Sequence, residues 1–193
     1  MDRADVIILG GGLVGLALAA ARLRLLSPSG VAAAIASGTV CAAAGWSWAA
    51  MLIGFFVVSS ALTRVGAQRK RGAERIVAKG GARDAVQVLA NGGVFAAAAL
   101  MSLVSAPATW MAVGAGALAA SAADTWATEI GMLARGRPVS ILTWRPIPTG
   151  TSGGVTLLGT VGGVAGAAFV ALMAWTGGWP AVVVAGALAG GVA

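Results

Sequence analysis

The spacing of charge constrains this protein more than any other feature: long apolar runs almost free of Lys, Arg, Asp and Glu alternate with short segments that gather most of them. A hydrocarbon layer about 30 Å thick needs roughly 20 apolar residues per crossing helix. Seven such runs cover about residues 5–22, 30–45, 48–66, 84–105, 109–131, 153–174 and 179–193. The composition excludes a soluble globule, with 59% hydrophobic and 10% charged residues against roughly 45–50% and 25% in ordinary soluble domains. Thirty glycines suit helices that pack closely in lipid, where small residues let backbones approach. The expectation is therefore an all-α fold: a polytopic membrane helical bundle of about seven transmembrane helices, with residues 1–193 forming a single integral membrane domain. The first run opens with Asp2 and Asp5 and has no clear cleavage site, so it does not read as a secretory signal.

The cations decide orientation, because Lys and Arg accumulate in cytoplasmic loops. Arg22 and Arg24 lie in the first loop. Arg64, Arg69, Lys70, Arg71, Arg75, Lys79 and Arg83 lie in the third, and Arg135, Arg137 and Arg145 in the fifth. The second, fourth and sixth loops hold none, so twelve of thirteen cations fall on one side and Arg3 alone on the other. This predicts an outside N-terminus and a cytoplasmic C-terminus in a multi-pass protein of the cell membrane. Trp46, Trp48, Trp110, Trp175 and Trp179 all fall beside the loops assigned outside, as interfacial Trp residues would. Most of the net charge of +7 is then topology. No stretch is basic and polar enough to read as a nucleic-acid arm.

Two scarcities narrow the chemistry. The protein has no His and a single cysteine, Cys41, which excludes Ser-His triads, imidazole zinc sites and disulfide frameworks. The segment Asp5-Val-Ile-Ile-Leu-Gly10-Gly11-Gly12-Leu-Val-Gly15 resembles the strand, glycine turn and helix that hold a dinucleotide pyrophosphate. That motif needs a second strand ending in an acidic residue about 20 positions on, yet residues 25–60 contain no Asp or Glu. The glycines are therefore expected to form a small-residue helix interface instead.

Ionisable groups in a span are costly and usually mark a functional interior. Asp84, Gln87 and Asn91 follow an i, i+3, i+7 spacing and share one helical face, turned to protein or water. Interhelical hydrogen bonding is the structural alternative for that stripe. Ser121, Asp124 and Thr128 share a face near the end of the fifth span. Glu129 lies about 140° round from Asp124 on an ideal helix, so joint use of both carboxylates requires a distorted terminus or a ligand between helices. Hard oxygen donors without imidazole or thiolate suit Mg²⁺. A third group, Pro146-Ile-Pro148-Thr149-Gly150-Thr151-Ser152-Gly153-Gly154, leads directly into the sixth span as a turn and helix N-terminus, a setting that favours an anion. All three groups fall at one membrane face. With Lys79, Arg83 and Arg145 as anion partners they match the parts of a phosphoryl-transfer site. A lipid phosphate acceptor is already anionic near neutral pH, with a second pKa of about 6, so no His is required.

The segments Gly80-Gly-Ala-Arg83-Asp84-Ala-Val-Gln-Val-Leu-Ala-Asn91-Gly, Ala123-Asp124-Thr-Trp-Ala-Thr-Glu129-Ile-Gly131 and Pro148-Thr-Gly150-Thr-Ser-Gly153-Gly154-Val-Thr-Leu-Leu-Gly159-Thr resemble the membrane family called domain of unknown function 92. That family includes the phytyl-phosphate kinase of tocopherol synthesis. The three motifs cover about residues 60–165, and the N-terminal third matches only in hydropathy. The resemblance implies Mg²⁺-dependent transfer of a phosphate from a nucleoside triphosphate, CTP by that resemblance, to a prenyl or phytyl monophosphate. Carried over by position, Asp124 and Glu129 would hold Mg²⁺. Arg83 and Asp84, with Asn91, would form the nucleotide-side wall, with Asp124, Arg83 and Asp84 the catalytic set. Thr149, Gly150, Thr151, Ser152, Gly153 and Gly154 would hold phosphate, with Lys79 a further phosphate contact.

The family usually continues into a second acidic motif, whereas this sequence ends Ala185-Gly-Ala-Leu-Ala-Gly-Gly-Val-Ala193, an echo of Ala115-Gly-Ala-Leu-Ala-Ala-Ser-Ala-Ala123 just before Asp124. A true repeat would mean that the sequence is clipped at its C-terminus or supplies an incomplete site. Two other classes stay open: a small-solute transporter using the intramembrane polar groups, and a scaffold whose polar groups serve packing. A homo-oligomer is compatible with the kinase reading and with both of these.

Overall fold

A computed structural model describes residues 3–66 and 81–192. Among the described residues seven helices follow the apolar runs: α1 Arg3–Arg22, α2 Pro28–Ala44, α3 Trp46–Arg64, α4 Ala85–Ser102, α5 Pro107–Gly131, α6 Leu157–Thr176 and α7 Ala181–Val192. Of these α3, α4 and α6 are long and apolar enough to cross a membrane alone, and α2 and α7 are shorter apolar helices. The 25 residues of α5 would extend about 37 Å at 1.5 Å per residue.

The bundle is built around α5, which packs on α3, α4, α6 and α7. Its Gly and Ala content is what lets four neighbours approach. The closest seam is with α6, where Gly159, Gly162, Gly163 and Gly166 form one ridge at i, i+3, i+4, i+7. A methyl group at Gly166 would sit 2.6 Å from the Ala122 carbonyl oxygen, and one at Gly162 would sit 2.9 Å from that of Trp126. Helix α7 lies against α5 in the same manner, with Gly191 and Gly190 facing Ala119 and Gly116. The two echoing segments are thus packing partners.

Two tryptophans depart from the interfacial expectation. Trp48 and Trp179 are buried, with ring centroids 4.6 Å apart, and Trp48 meets Phe95 at 4.9 Å. Gly114 makes room for Trp48, since a methyl there would lie 2.6 Å from its ring, and Trp179 Nε1 donates to Ser47 Oγ at 2.9 Å. Trp46 and Trp175 are exposed, as interfacial residues would be.

Helix α1 is continuous through Gly10, Gly11, Gly12 and Gly15, so no strand, turn and helix forms. Methyl groups at Gly11, Gly12 or Gly15 would meet nothing within 4 Å, and the expected small-residue interface is not made within the described residues. The physical reason is that α1 packs mainly on α2, and these glycines face away from it.

One end of the bundle gathers charge. Arg64 Nη2 donates to the Leu23 carbonyl at 2.8 Å, Arg83 N to that of Leu25 at 2.9 Å, and Ser27 N to that of Arg83 at 3.0 Å. These bonds tie together the helix ends and loops that hold Arg22, Arg24, Arg64 and Arg83. Arg135, Arg137 and Arg145 follow α5 at the same end. Among the described residues only Arg3 lies at the opposite end.

Candidate functional site

The predicted site residues fall into two adjoining sites on either side of the α5 terminus. Asp124 and Thr128 are placed on one face of α5, Asp124 exposed and Thr128 likewise open to solvent on that side, and they line a cleft of about 420 Å³, with Thr149, Thr151, Ser152 and Gly153 opposite. Two of the three sequence groups thus share one cavity. Among the described residues Asp124 is the single carboxylate lining it.

A short hairpin builds the far wall. Strand β1, Val139–Ser140, pairs antiparallel with β2, Gly154–Val155, in the register Val139 to Val155 and Ser140 to Gly154. Ile141 N donates to the Gly153 carbonyl at 2.9 Å, and Ile147 N to that of Pro138 at 2.9 Å. Gly150 (φ 92°) and Gly153 (φ 76°) take the left-handed conformation that glycine adopts without steric cost. The loop does not continue directly into the sixth span as expected. Helix α6 starts at Leu157, with Thr156 as N-cap accepting from Gly159 N at 3.0 Å. Thr is a favoured cap and halts the strand there, so the helix terminus lies beyond the glycines. Thr151 N and Gly154 N are spent inside the loop, on the Pro148 and Thr151 carbonyls.

Arg83, Asp84 and Asn91 lie in the second site. Asp84 caps α4: its carboxylate accepts from Gln87 N at 2.9 Å, and Gln87 Oε1 accepts from Asp84 N at 3.1 Å. This reciprocal capping box gives two members of the predicted stripe a structural role. Asn91 lies further along α4 and lines an apolar cavity with Gln87 and Arg83.

Glu129 faces this second site. Its Oε1 accepts from Thr63 Oγ1 at 2.7 Å, and Thr63 Oγ1 accepts from Arg83 Nη2 at 3.3 Å. Arg83 Nη1 donates to Ser60 Oγ at 2.9 Å, and the guanidinium lies 5.8 Å from the Phe56 ring centroid. Burial lowers the Arg83 pKa from its ordinary value, and the Glu129 charge opposes that shift. Asp124 and Glu129 therefore have different surroundings, as the 140° between them requires. A divalent ion shared by both is not the arrangement these contacts form. Mg²⁺ keeps several waters and needs only one or two protein carboxylates beside substrate phosphates. In the cleft Asp124 is the carboxylate that could hold such an ion, with the Thr128, Thr149, Thr151 and Ser152 hydroxyls lining the same space. Lys79 lies outside the described residues.

Helix α3 contributes polar groups that carry no charge and so leave no mark in the charge pattern of the sequence. Ser59 and Ser60 are buried and Thr63 follows one turn on; Trp126 Nε1 donates to Ser59 Oγ at 3.2 Å. Three hydroxyls at i, i+1, i+4 at the end of an apolar span form a polar face, and that spacing is the signal that marks them.

A family model described as integral membrane protein DUF92 matches residues 12–193. Protein PGR of Arabidopsis thaliana is 33% identical over 165 residues, covering 77% of this protein and 57% of that one. An uncharacterized membrane protein of Synechocystis sp. is 30% identical over 176 residues, 89% of this protein and 67% of its own length. Another, from Methanocaldococcus jannaschii, is 29% identical over 132 residues, 68% of this protein and 53% of its own length. The matched region spans between about half and two-thirds of the length of these curated relatives. No solved structure matches it.

Proposed function

The protein belongs to the DUF92 family of integral membrane proteins, and from that premise we propose that it is a lipid-phosphate kinase of the cell membrane, acting at the cytoplasmic face. The donor is a nucleoside triphosphate, CTP in the first instance, and the acceptor is a prenyl or phytyl monophosphate. An oxygen of the lipid phosphate attacks the γ-phosphorus, the bond from that phosphorus to the β–γ bridging oxygen breaks, and the products are the lipid diphosphate and CDP. An acceptor phosphate with a second pKa of about 6 is already an anion near neutral pH, so no proton has to be removed by a side chain.

The observation that carries this reading is the cleft shared by Asp124 and the Thr149–Gly154 loop, adjoining the Arg83 and Glu129 group at the arginine-rich end. Phosphoryl transfer relies on positioning and charge stabilisation rather than covalent chemistry by the protein. A carboxylate for a magnesium-bound triphosphate, a hydroxyl-rich glycine loop and a half-buried arginine supply those elements. Mg²⁺ held at Asp124 would supply neutralisation of the triphosphate charge. A site between bilayer and water also suits one soluble and one lipid substrate.

The test is incubation of the reconstituted protein with γ-labelled CTP, Mg²⁺ and geranylgeranyl or phytyl phosphate. A labelled diphosphate that disappears in Asp124→Ala is expected. Product formation unchanged in that variant would overturn the assignment of Asp124, and no product with any nucleoside triphosphate would overturn the kinase reading.

A further inference from the structure

Helices α1–α4 line a second, half-open cavity that shares no lining residue with the Asp124 cleft. Its volume is about 80 Å³. Leu16 of α1, Ala34 of α2, Leu52 and Phe56 of α3 and Val88 of α4 contribute apolar wall. Polar groups lie along its α4 side: Arg83 just before the helix, then Gln87 and Asn91. Gln87 and Asn91 are one helical turn apart and share a face, and Arg83 lines the same cavity from the extended segment before the helix, at the arginine-rich end. The cavity is thus apolar over most of its wall, with a cation at one end.

From this juxtaposition we infer that the α1–α4 cavity is the hydrocarbon subsite for a phosphate amphiphile with a single tail, with the phosphate at Arg83 and the first part of the tail between Leu52 and Val88. Size argues for one tail. A cavity of about 80 Å³ is about half of the roughly 150 Å³ apolar cavity that accepts a benzene molecule, so it has room for a segment of one tail and not for segments of two tails side by side. Charge argues for an anionic head. Glu129 supplies a counter-charge on the Thr63 side, but among the described residues Arg83 spends only two of its five N–H donors, on the neutral Ser60 and Thr63 hydroxyls, and its planar fork suits phosphate. The inference rests on the proposed kinase function for the identity of the head as a lipid phosphate. It adds that the lipid head reaches the end of α5 from the Arg83 and Glu129 side and the nucleotide from the Asp124 side, so that the two phosphates meet at that end.

The experiment uses the full-length protein in detergent and geranylgeranyl phosphate with a diazirine on its tail, photolysed without nucleotide. Adducts are expected on α3 and α4 peptides containing Leu52, Ile53 and Val88, competed by geranylgeranyl phosphate and dodecyl phosphate. Diacyl phosphatidic acid and geranylgeraniol should compete poorly. Adducts on Met132 or Ile141 beside the Asp124 cleft, or equal competition by geranylgeraniol or phosphatidic acid, would overturn the assignment. Ala34→Phe fills the cavity; each methylene displaced costs roughly fourfold in affinity, so a loss of at least about tenfold in lipid binding is expected, with CTP binding unchanged. The two readings fail separately. Adducts at Leu52 and Val88 without any transfer activity uphold the subsite while the kinase reading falls, whereas wild-type transfer by a folded Ala34→Phe protein overturns the subsite while the kinase reading stands.

Discussion

Thr63 Oγ1 donates to Glu129 Oε1 at 2.7 Å while accepting from Arg83 at 3.3 Å, so one hydroxyl joins the ends of α3 and α5 and the segment entering α4. A hydrogen bond to a charged group contributes about 1.5–3 kcal/mol, and a neutral one about 1. Thr63 is exposed, which places its contribution at the low end. Thr63→Val should lower stability by about 1 kcal/mol and Thr63→Ser should restore most of it, measured as the midpoint of denaturant unfolding in detergent. No change in Thr63→Val would mean that water replaces the hydroxyl without loss.

The Arg83 environment makes a prediction about pH. Burial lowers the pKa of the folded guanidinium below that of the unfolded state, with Glu129 working against the shift. Between the two values the unfolded state binds more protons, so stability rises with pH there. That window is strongly alkaline. Arginine keeps its proton in proteins near neutral pH, so the Arg83 contribution should be flat from pH 6 to 8. Comparing unfolding of wild type and Arg83→Gln at pH 6 and 8 should give a difference that does not change with pH; a pH-dependent difference would contradict this account.

Sequence periodicity exposes the polar faces and not their partners. Asp84, Gln87 and Asn91 are visible as a stripe because a helix has a fixed rotation per residue, but the capping box that occupies Asp84 depends on where α4 begins. The separation of Asp124 from Glu129 is likewise written in the 100° step, whereas the contact of Glu129 with Thr63 joins residues 66 positions apart. Two-residue strands have no periodicity, so the hairpin of Val139–Ser140 with Gly154–Val155 is hidden behind a glycine-rich segment that reads equally well as a helix start. Trp48 at the end of a span suits a lipid interface or a core. Only the room left by Gly114, across the bundle, decides for the core.

The α5–α6 seam predicts a sharp difference between glycines of similar appearance. At Gly166 a methyl group would meet the Ala122 backbone at 2.6 and 2.8 Å, and at Gly116 it would meet nothing within 4 Å. Backbone cannot yield as a flexible side chain can. Gly166→Ala should therefore destabilise by about 1–3 kcal/mol, as overpacking does. Gly116→Ala should be neutral or stabilising by up to about 1 kcal/mol through helix propensity. Thermal unfolding of both variants checks this, and equal behaviour would refute the close seam.

The Asp124 cleft separates chemistry from stability most clearly. Asp124 is exposed at the α5 surface, so Asp124→Asn removes a charge without leaving a cavity and should keep the wild-type unfolding midpoint. Loss of a group that stabilises transition-state charge typically lowers turnover by about 10²–10³-fold, and a fall of that order is expected in the labelled-CTP assay. Leu118, fully buried on the same helix, provides the converse. Leu118→Ala should cost about 2–5 kcal/mol of stability while the folded fraction retains turnover. If Asp124→Asn instead lowered stability and left turnover of the folded fraction intact, Asp124 would be a packing residue and the cleft would lose its assigned metal ligand.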